Sequence, residues 1–175
     1  METVSDKNEM KRQLITQIEE QLKEIKDVDI LLENILSGAR KLVNADAGSI
    51  YEYDAKENKL RIRYSQNDTK QKELAPGEKL AYTSYSFIPT KQYISGYCLL
   101  SKKLVNIEDA YNLPEYIDEE KTEKRPYEFN ELSDVATGYK THSILTIPLI
   151  MTNGKVLGVL QIINAQDEGG NVIPF

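Results

Sequence analysis

SILTIPLIMTNGKVLGVLQIIN, residues 143–164, carries the pattern that decides the fold. Ser143–Ile150 and Val156–Ile163 are apolar runs rich in β-branched residues, and Met151–Lys155 separates them. The Asn153-Gly154 pair inside that separator is the strongest short-range hairpin signal in the chain. The two runs are therefore expected to be the central strands. Upstream, Leu104–Ile107 reads as a short strand, following a short helix over Ile94–Leu100 that ends at Lys102-Lys103. Ser49–Tyr53 and Lys59–Ser65 alternate across the polar turn Asp54–Asn58. The alternation puts Leu60, Ile62 and Tyr64 on one face, with Arg61 and Arg63 on the other. Residues 66–92, with Pro76, Gly77 and Pro89, read as a long loop of the kind that serves as a lid or binding segment. Asn112–Asn130 reads as a charged surface loop. The order of elements predicts an α+β fold: an antiparallel sheet with helices on one face and loops on the other.

The N-terminal third carries a heptad. Leu14, Gln21, Val28, Ile35 and Leu42 lie seven apart, and Ile18, Ile25, Leu32 and Ala39 follow each by four, with charged residues between. From Val28 onward the helix is expected to cover its own sheet. Over Leu14–Ile25 it is expected to reach beyond the domain and pair with a second copy. A cap at Asp27 or Asp29 would break it into two helices.

Composition narrows the function classes. The chain has 175 residues, 40% hydrophobic and 29% charged, which suits one globular domain with a sizeable core. A net charge of −6 argues against non-specific binding to nucleic acid or an anionic membrane. It leaves room for a small anionic ligand held by backbone donors. No apolar run reaches the roughly 20 residues that span a bilayer. The first residues lack the apolar core of a secretory signal, and Cys98 is the sole cysteine. A cytoplasmic location is expected.

No constellation points to catalysis. His142 is the only histidine, and nothing in the sequence orients it towards Cys98 as a base for a nucleophile. Cys98 reads as core packing, and the nitrogen and sulfur ligands are too few for zinc. Asp118-Glu119-Glu120 with Glu123 is interleaved with lysines and reads as a solvated face, and Asp167–Gly170 as a turn. Eleven tyrosines stand against three phenylalanines and no tryptophan. Tyr51, Tyr53, Tyr64, Tyr82, Tyr85, Tyr93, Tyr97 and Tyr111 fall on or beside the elements expected to form a pocket. There a ring with a polar tip could stack on a planar ligand, although each could equally be half-buried packing.

Several blocks together resemble the GAF family of small-ligand sensor domains. Ile94-Ser-Gly96 is similar to its I-A-G helix start, and Leu104–Tyr111 to its L-N-I-x-D-A-Y strand and turn. Phe129-Asn130, Asp134 and Thr137-Gly-Tyr139 match F-N-x-x-x-D-x-x-T-G-Y, and Ser143–Pro148 and Gly158–Asn164 are similar to its two core strands. The resemblance covers residues 27–175, with 1–26 a helical, coiled-coil-like extension. It implies a GAF-like antiparallel sheet whose other face is covered by ligand-binding loops and short helices. By position, Ser49, Tyr64, Ser65, Ile94, Ser95, Tyr111 and Thr137 would line the pocket. The first N–H groups at Ser95-Gly96 would suit a phosphate or carboxylate. Asp109, Asp134 and Thr137 would read a base edge, and Asp109 could equally be a cap.

The flavour is that of the phosphodiesterase-like subgroup, which also occurs in bacteria ahead of HD-type phosphohydrolase, cyclase or kinase domains. The resemblance thus implies a non-enzymatic regulatory input that binds a cyclic nucleotide or another small ligand. It would signal as a homodimer to an output domain through a final helix expected after Phe175. A ligand-free dimerisation scaffold is the alternative. A GAF-type methionine sulfoxide reductase would need cysteines that this chain lacks. The family's cyclic-nucleotide binders pair a lysine after the strand's asparagine with an aspartate. Here Ala165 follows Asn164, and about a dozen residues are inserted between Tyr111 and Phe129.

Overall fold

A computed structural model describes residues 4–24, 27–78 and 85–175; the side chain of Gln21, and the whole of Ile25 and Tyr82, lie outside the described residues. Twelve elements follow in order: α1 (Val4–Glu24), α2 (Val28–Leu42), β1 (Ala45–Asp54), β2 (Lys59–Asn67), α3 (Asp68–Lys72), β3 (Ser86–Phe87), α4 (Ile94–Ser101), β4 (Val105–Ile107), α5 (Leu132–Thr137), β5 (Ile144–Ile150), β6 (Val156–Gln166) and β7 (Val172–Ile173). The strands form one antiparallel sheet in the order β3-β2-β1-β6-β5-β4, with β7 paired to the end of β6.

The β5–β6 hairpin stands where its pattern placed it, with Gly154 at φ 80° in the turn and its amide donating to Met151 O. Each face of the sheet has its own core. On one, α2 contributes Leu32, Ile35, Leu36 and Ala39 against Ile50, Leu160 and Ile162. On the other, α4 contributes Ile94, Tyr97, Cys98 and Leu99 against Leu60, Ile144 and Val159. Burying this apolar surface on both sides is the main stabilising term.

The heptad does not run as one helix. Asp27 is the N-cap of α2, and its Oδ1 accepts from the amides of Asp29 (2.8 Å) and Ile30 (3.4 Å). The expected break is therefore real. α1 packs against the outer side of α2, with Ile18 over Gly38: a Cβ on that glycine would lie 3.1 Å from Ile18 Cγ2. Leu14 and Ile18 line a recess of about 120 Å³ between the two helices. In this arrangement they face their own chain.

β2 corrects the strict alternation. Ile50 pairs with Tyr64 and Tyr51 with Ile62, so Arg63 is bulged out. Past the bulge each side chain changes face. Leu60 and Ile62 point to α4, while Tyr64 joins the α2 core and hydrogen-bonds Asp29. Arg63 reaches the same carboxylate at 2.8 Å.

The stretch between Tyr111 and Phe129 is a surface loop, as expected, but an internally bonded one. Ile117 N donates to Glu123 O and Arg125 N to Glu115 O, which makes a small hairpin finger. Leu113, Ile117 and Tyr127 from this finger pack on the α4 core. Charge density in the sequence hid these three apolar anchors. At the finger's tip Asp118 accepts from the amides of Thr122 and Glu123 and from the Thr122 hydroxyl. Those donors hold its carboxyl at about 2, below the ordinary 3.8. A depressed folded value means the tip's order is fully supported above the ordinary carboxylate range and is lost as pH falls through about 2. The amide resonances of Thr122 and Glu123 are expected to titrate with that midpoint, and Asp118→Asn to abolish the titration. A midpoint near 4 would contradict the geometry.

Candidate functional site

Strand register assembles a polar row on the α4 face. Ser65 of β2 stands opposite Ser49 of β1, Ser49 opposite Gln161 of β6, and Gln161 opposite Thr146 of β5. Ser49 Oγ lies 3.1 Å from Ser65 Oγ, Gln161 Nε2 donates to Thr146 Oγ1 at 3.2 Å, and Tyr51 OH donates to Gln161 Oε1 at 3.3 Å. Ser49 and Thr146 are buried, Gln161 and Tyr51 half-buried, and Ser65 exposed. Four hydrogen-bonding side chains in line across adjacent strands interrupt a face that is otherwise apolar. Burial pushes the Tyr51 phenol up to about 12, so it stays a neutral donor.

Ile94 and Ser95 are both buried in the first turn of α4. Gly96 answers a packing need: a Cβ there would lie 2.2 Å from Thr90 O and 2.9 Å from Thr90 N. The strap before the helix therefore runs directly over its first turn. Tyr85, Phe87 and Tyr93 form a ladder of ring contacts at 5.5 and 5.1 Å, and Phe87 meets Tyr51 edge-on at 6.4 Å.

The motif residues from Asp109 to Tyr139 are brought together, but largely to hold one another. Asp134 is buried and fully engaged: Oδ2 accepts from Tyr111 OH (2.9 Å) and Thr141 N (2.6 Å), and Oδ1 from Thr141 Oγ1 (2.9 Å). The bond to that carboxylate raises the Tyr111 phenol to about 12. Thr137 Oγ1 donates back to Ser133 O and accepts from Tyr139 N, closing α5 beside Gly138 at φ 62°. Asp109 Oδ1 accepts from Tyr111 N at 3.0 Å and so closes an Asx turn; no helix follows directly for it to cap. Asp134 and Thr137 thus have little capacity left for reading a base edge, a correction to that expectation. Tyr64 is a second correction, since the β2 bulge carries it to the α2 face. Ser49 lies on the α4 face, and the same bulge brings Ser65 opposite it there.

Asn164, Tyr139 and Asp46 form a hub that the sequence reading missed. Asn164 sits at φ 58° and is 3% exposed. Its Oδ1 accepts from His142 N (2.7 Å), and its Nδ2 donates to Tyr139 OH (3.0 Å) and Lys140 O (2.8 Å). Tyr139 OH donates to Asp46 Oδ2 at 2.7 Å, and burial with that carboxylate pushes its phenol up. Asp46 O in turn accepts from the buried Arg40 of α2 at 2.6 Å. Arg40 also reaches Ala45 O, Gln66 Oε1 and Asp68 Oδ2. A continuous polar path thereby links α2, β1, β6 and the loop after α5. A lone Gln or Asn inside an apolar strand, as at Gln161 and Asn164, is the signal that could have found these positions.

Cys98 is fully buried in the α4 core, and burial pushes its thiol up to about 12, far from a nucleophile. His142 instead faces Tyr111 and, at 4.0 Å, Asp109. Among the described residues no three His, Cys, Asp or Glu side chains converge on a possible metal position. None of the described helices is long and apolar enough to cross a membrane.

A two-faced antiparallel sheet with α2 on one side and short helices and straps over a polar row on the other defines the sensory and regulatory class. The GAF domain family model matches residues 27–175, and the chain belongs to that family. It is 31% identical over 160 residues to a cGMP-specific 3',5'-cyclic phosphodiesterase of Drosophila ananassae, covering 91% of this chain and 12% of that protein. It is 29% identical over 165 residues to the corresponding enzyme of Drosophila erecta, covering 94% and 13%. The chain therefore spans only about an eighth of these curated relatives. Among solved structures it is similar to the A. aeolicus nlh2 GAF domain in an inactive state, with TM-score 0.63, 13% identity, and coverage of 93% of this chain and 84% of that one. A free methionine-R-sulfoxide reductase from Neisseria meningitidis has the same fold at TM-score 0.63 and 17% identity, covering 100% and 82%.

Proposed function

We propose that this GAF domain binds a small molecule on the α4 face of its sheet, against the polar row, and passes its occupancy to an output domain. The observation that carries this is the row Ser65–Ser49–Gln161–Thr146. A face needing only a hydrophobic cover has no use for four hydrogen-bonding side chains in register, whereas a ligand floor does. A cyclic nucleotide is the first ligand to test, because the curated relatives are cGMP-specific enzymes. Ala165 stands where the lysine of the family's cyclic-nucleotide binders would be, so any such ligand would be held without that ion pair.

Isothermal titration of the domain with cGMP, cAMP and a panel of non-cyclic nucleotides is expected to give saturable heat with one of them. Gln161→Leu is then expected to weaken that ligand at least tenfold, about 1.4 kcal/mol, with little loss of thermal stability. Binding unchanged in Gln161→Leu would remove the polar row from the site. Silence across the whole panel would favour the ligand-free scaffold. That second reading draws on the internal saturation of Asp134 and Thr137.

Dimerisation through the N-terminal helix and a regulated catalytic domain elsewhere in the protein complete the proposal. Exposed Met10 and Ile15 on α1 are free to meet a second copy while Leu14 and Ile18 face α2. Sedimentation should give twice the monomer mass, reduced to one by Met10→Asp with Ile15→Asp; a wild-type monomer at all concentrations would end this part.

A further inference from the structure

Helix α1 meets α2 along one stripe, and the two sides of that contact do not match. Leu14 and Ile18 are half-buried there, facing Asn34, Ser37, Gly38 and Lys41 of α2. The apolar side chains of α2 point the other way, into the sheet, and among the described residues neither core includes a residue of α1. The recess of about 120 Å³ between the helices leaves part of the Leu14 and Ile18 surface without close neighbours. Apolar side chains set on polar groups across a gap gain little from burial or dispersion.

The seat itself is nevertheless shaped for α1. Gly38 lies inside α2 and is buried, although glycine lowers the stability of a helix interior. The three atoms nearest to a Cβ at that position all belong to Ile18, at 3.1, 3.2 and 3.5 Å. The notch in α2 therefore serves to receive Ile18. A seat that is shaped but weakly held suits a helix that leaves it.

The apolar face of α1 shows where the helix goes. With Leu14 at position d and Ile18 at position a of a heptad, Met10 falls at g and Ile15 at e. Leucine at d with a β-branched residue at a favours two parallel strands, in which g of one helix meets the next e of the other. Met10 and Ile15, 51% and 42% exposed, make that pair. Arg12, Glu19 and Glu20 fall at b and c, clear of the seam. Lys11, at the preceding a position, limits the stability of the pairing and so keeps it reversible. The face of α1 is thus complementary to a second copy of itself, and α2 covers only its Leu14–Ile18 part.

We infer that α1 docked on α2 is an in-chain cover of the dimer seam: when Ile18 leaves the Gly38 notch, Leu14 and Ile18 pair with the same residues of a second copy. This rests on the dimerisation proposed above and adds the contact that restrains it. The apparent affinity between chains is then reduced in proportion to the small fraction of α1 that is undocked.

Sedimentation of the whole chain over a range of concentrations tests this with Gly38→Gln, which fills the notch from the α2 side, favours the helix and leaves α1 unaltered. That variant should dimerise at least fivefold more tightly than the parent. Ile18→Ser, which keeps Met10 and Ile15, should weaken the dimer at least tenfold. In the parent monomer the Ile18 methyl groups should show NOE contacts to the Gly38 α-protons, and in the parent dimer these should vanish. Unchanged or weaker dimerisation of Gly38→Gln, a dimer unaffected by Ile18→Ser, or NOE contacts that persist in the dimer would each overturn the inference, leaving a dimer built on Met10 and Ile15 with α1 still docked. Parent and Gly38→Gln both monomeric at every concentration would remove the dimer itself, and its cover with it.

Discussion

Asn164→Ala is expected to destabilise the domain by about 4 kcal/mol. Three hydrogen bonds disappear at a position only 3% exposed, and His142 N and Lys140 O lose the partner that Asn164 supplied. Each buried group left unpaired contributes about 1–3 kcal/mol, and partial access of water would lower the sum. Backbone strain adds to it. Asn164 has φ 58°, a left-handed conformation that asparagine tolerates through its short polar side chain and alanine does not. For a chain of this size the loss corresponds to a melting temperature lower by roughly 10 °C. Urea denaturation should show a lower midpoint with unchanged slope, because the extent of unfolding stays the same. Tyr139→Phe removes only the hydroxyl shared by Asp46 and Asn164, and so should fall well short of that effect. If the two variants proved equal in effect, Tyr139 rather than Asn164 would be the centre of the hub.

Gly96→Ala should destabilise by about 3 kcal/mol and perturb the strap over residues 88–93. Its Cβ would sit 2.2 Å from the carbonyl oxygen of Thr90 and 2.9 Å from its amide nitrogen. Both neighbours are backbone, so no side-chain rotation relieves the overlap, and the strap or the first turn of α4 must move by about an ångström. Overpacking of this kind costs about 1–3 kcal/mol, with the upper end appropriate where backbone must shift. Tyr93 lies in that strap and meets Phe87 edge-on, and Phe87 touches Tyr51 beside the polar row. Ligand affinity at the row should therefore fall along with stability. Hydrogen exchange resolved by segment gives the check: protection should drop first at 88–97 and leave β5 and β6 near their wild-type values. Uniform loss would mean that the strap is not separately anchored.

Gly154 in a hairpin turn and Gly96 in the first turn of α4 are constrained by different means. Asn153-Gly154 was readable at once, since a hairpin turn needs only two residues with the right backbone freedom. Gly96 carried no comparable signal. Its constraint comes from Thr90, six positions back and held over the helix by packing. Asp134 and Thr137 repeat the lesson on a larger scale. A carboxylate and a hydroxyl with suitable spacing look like ligand donors until their partners, Tyr111, Thr141, Ser133 and Tyr139, are seen to occupy them.

By itself the sequence determined the elements whose causes are local. Hydrophobic alternation and turn chemistry specified β5 and β6, the apolar face of α2 with a cap at Asp27 or Asp29 specified that helix, and the joined motif blocks specified the family. Tertiary structure alone decided which face each side chain serves. A single bulged residue at Arg63 moved Tyr64 to the α2 side. Long-range register aligned Ser65, Ser49, Gln161 and Thr146, and three apolar anchors turned a charged excursion into a finger with a recess beneath it. The physical reason is that strand pairing and burial are set between residues as far apart in sequence as Ala45 and Ala165, and a one-residue shift in register reverses every side chain beyond it.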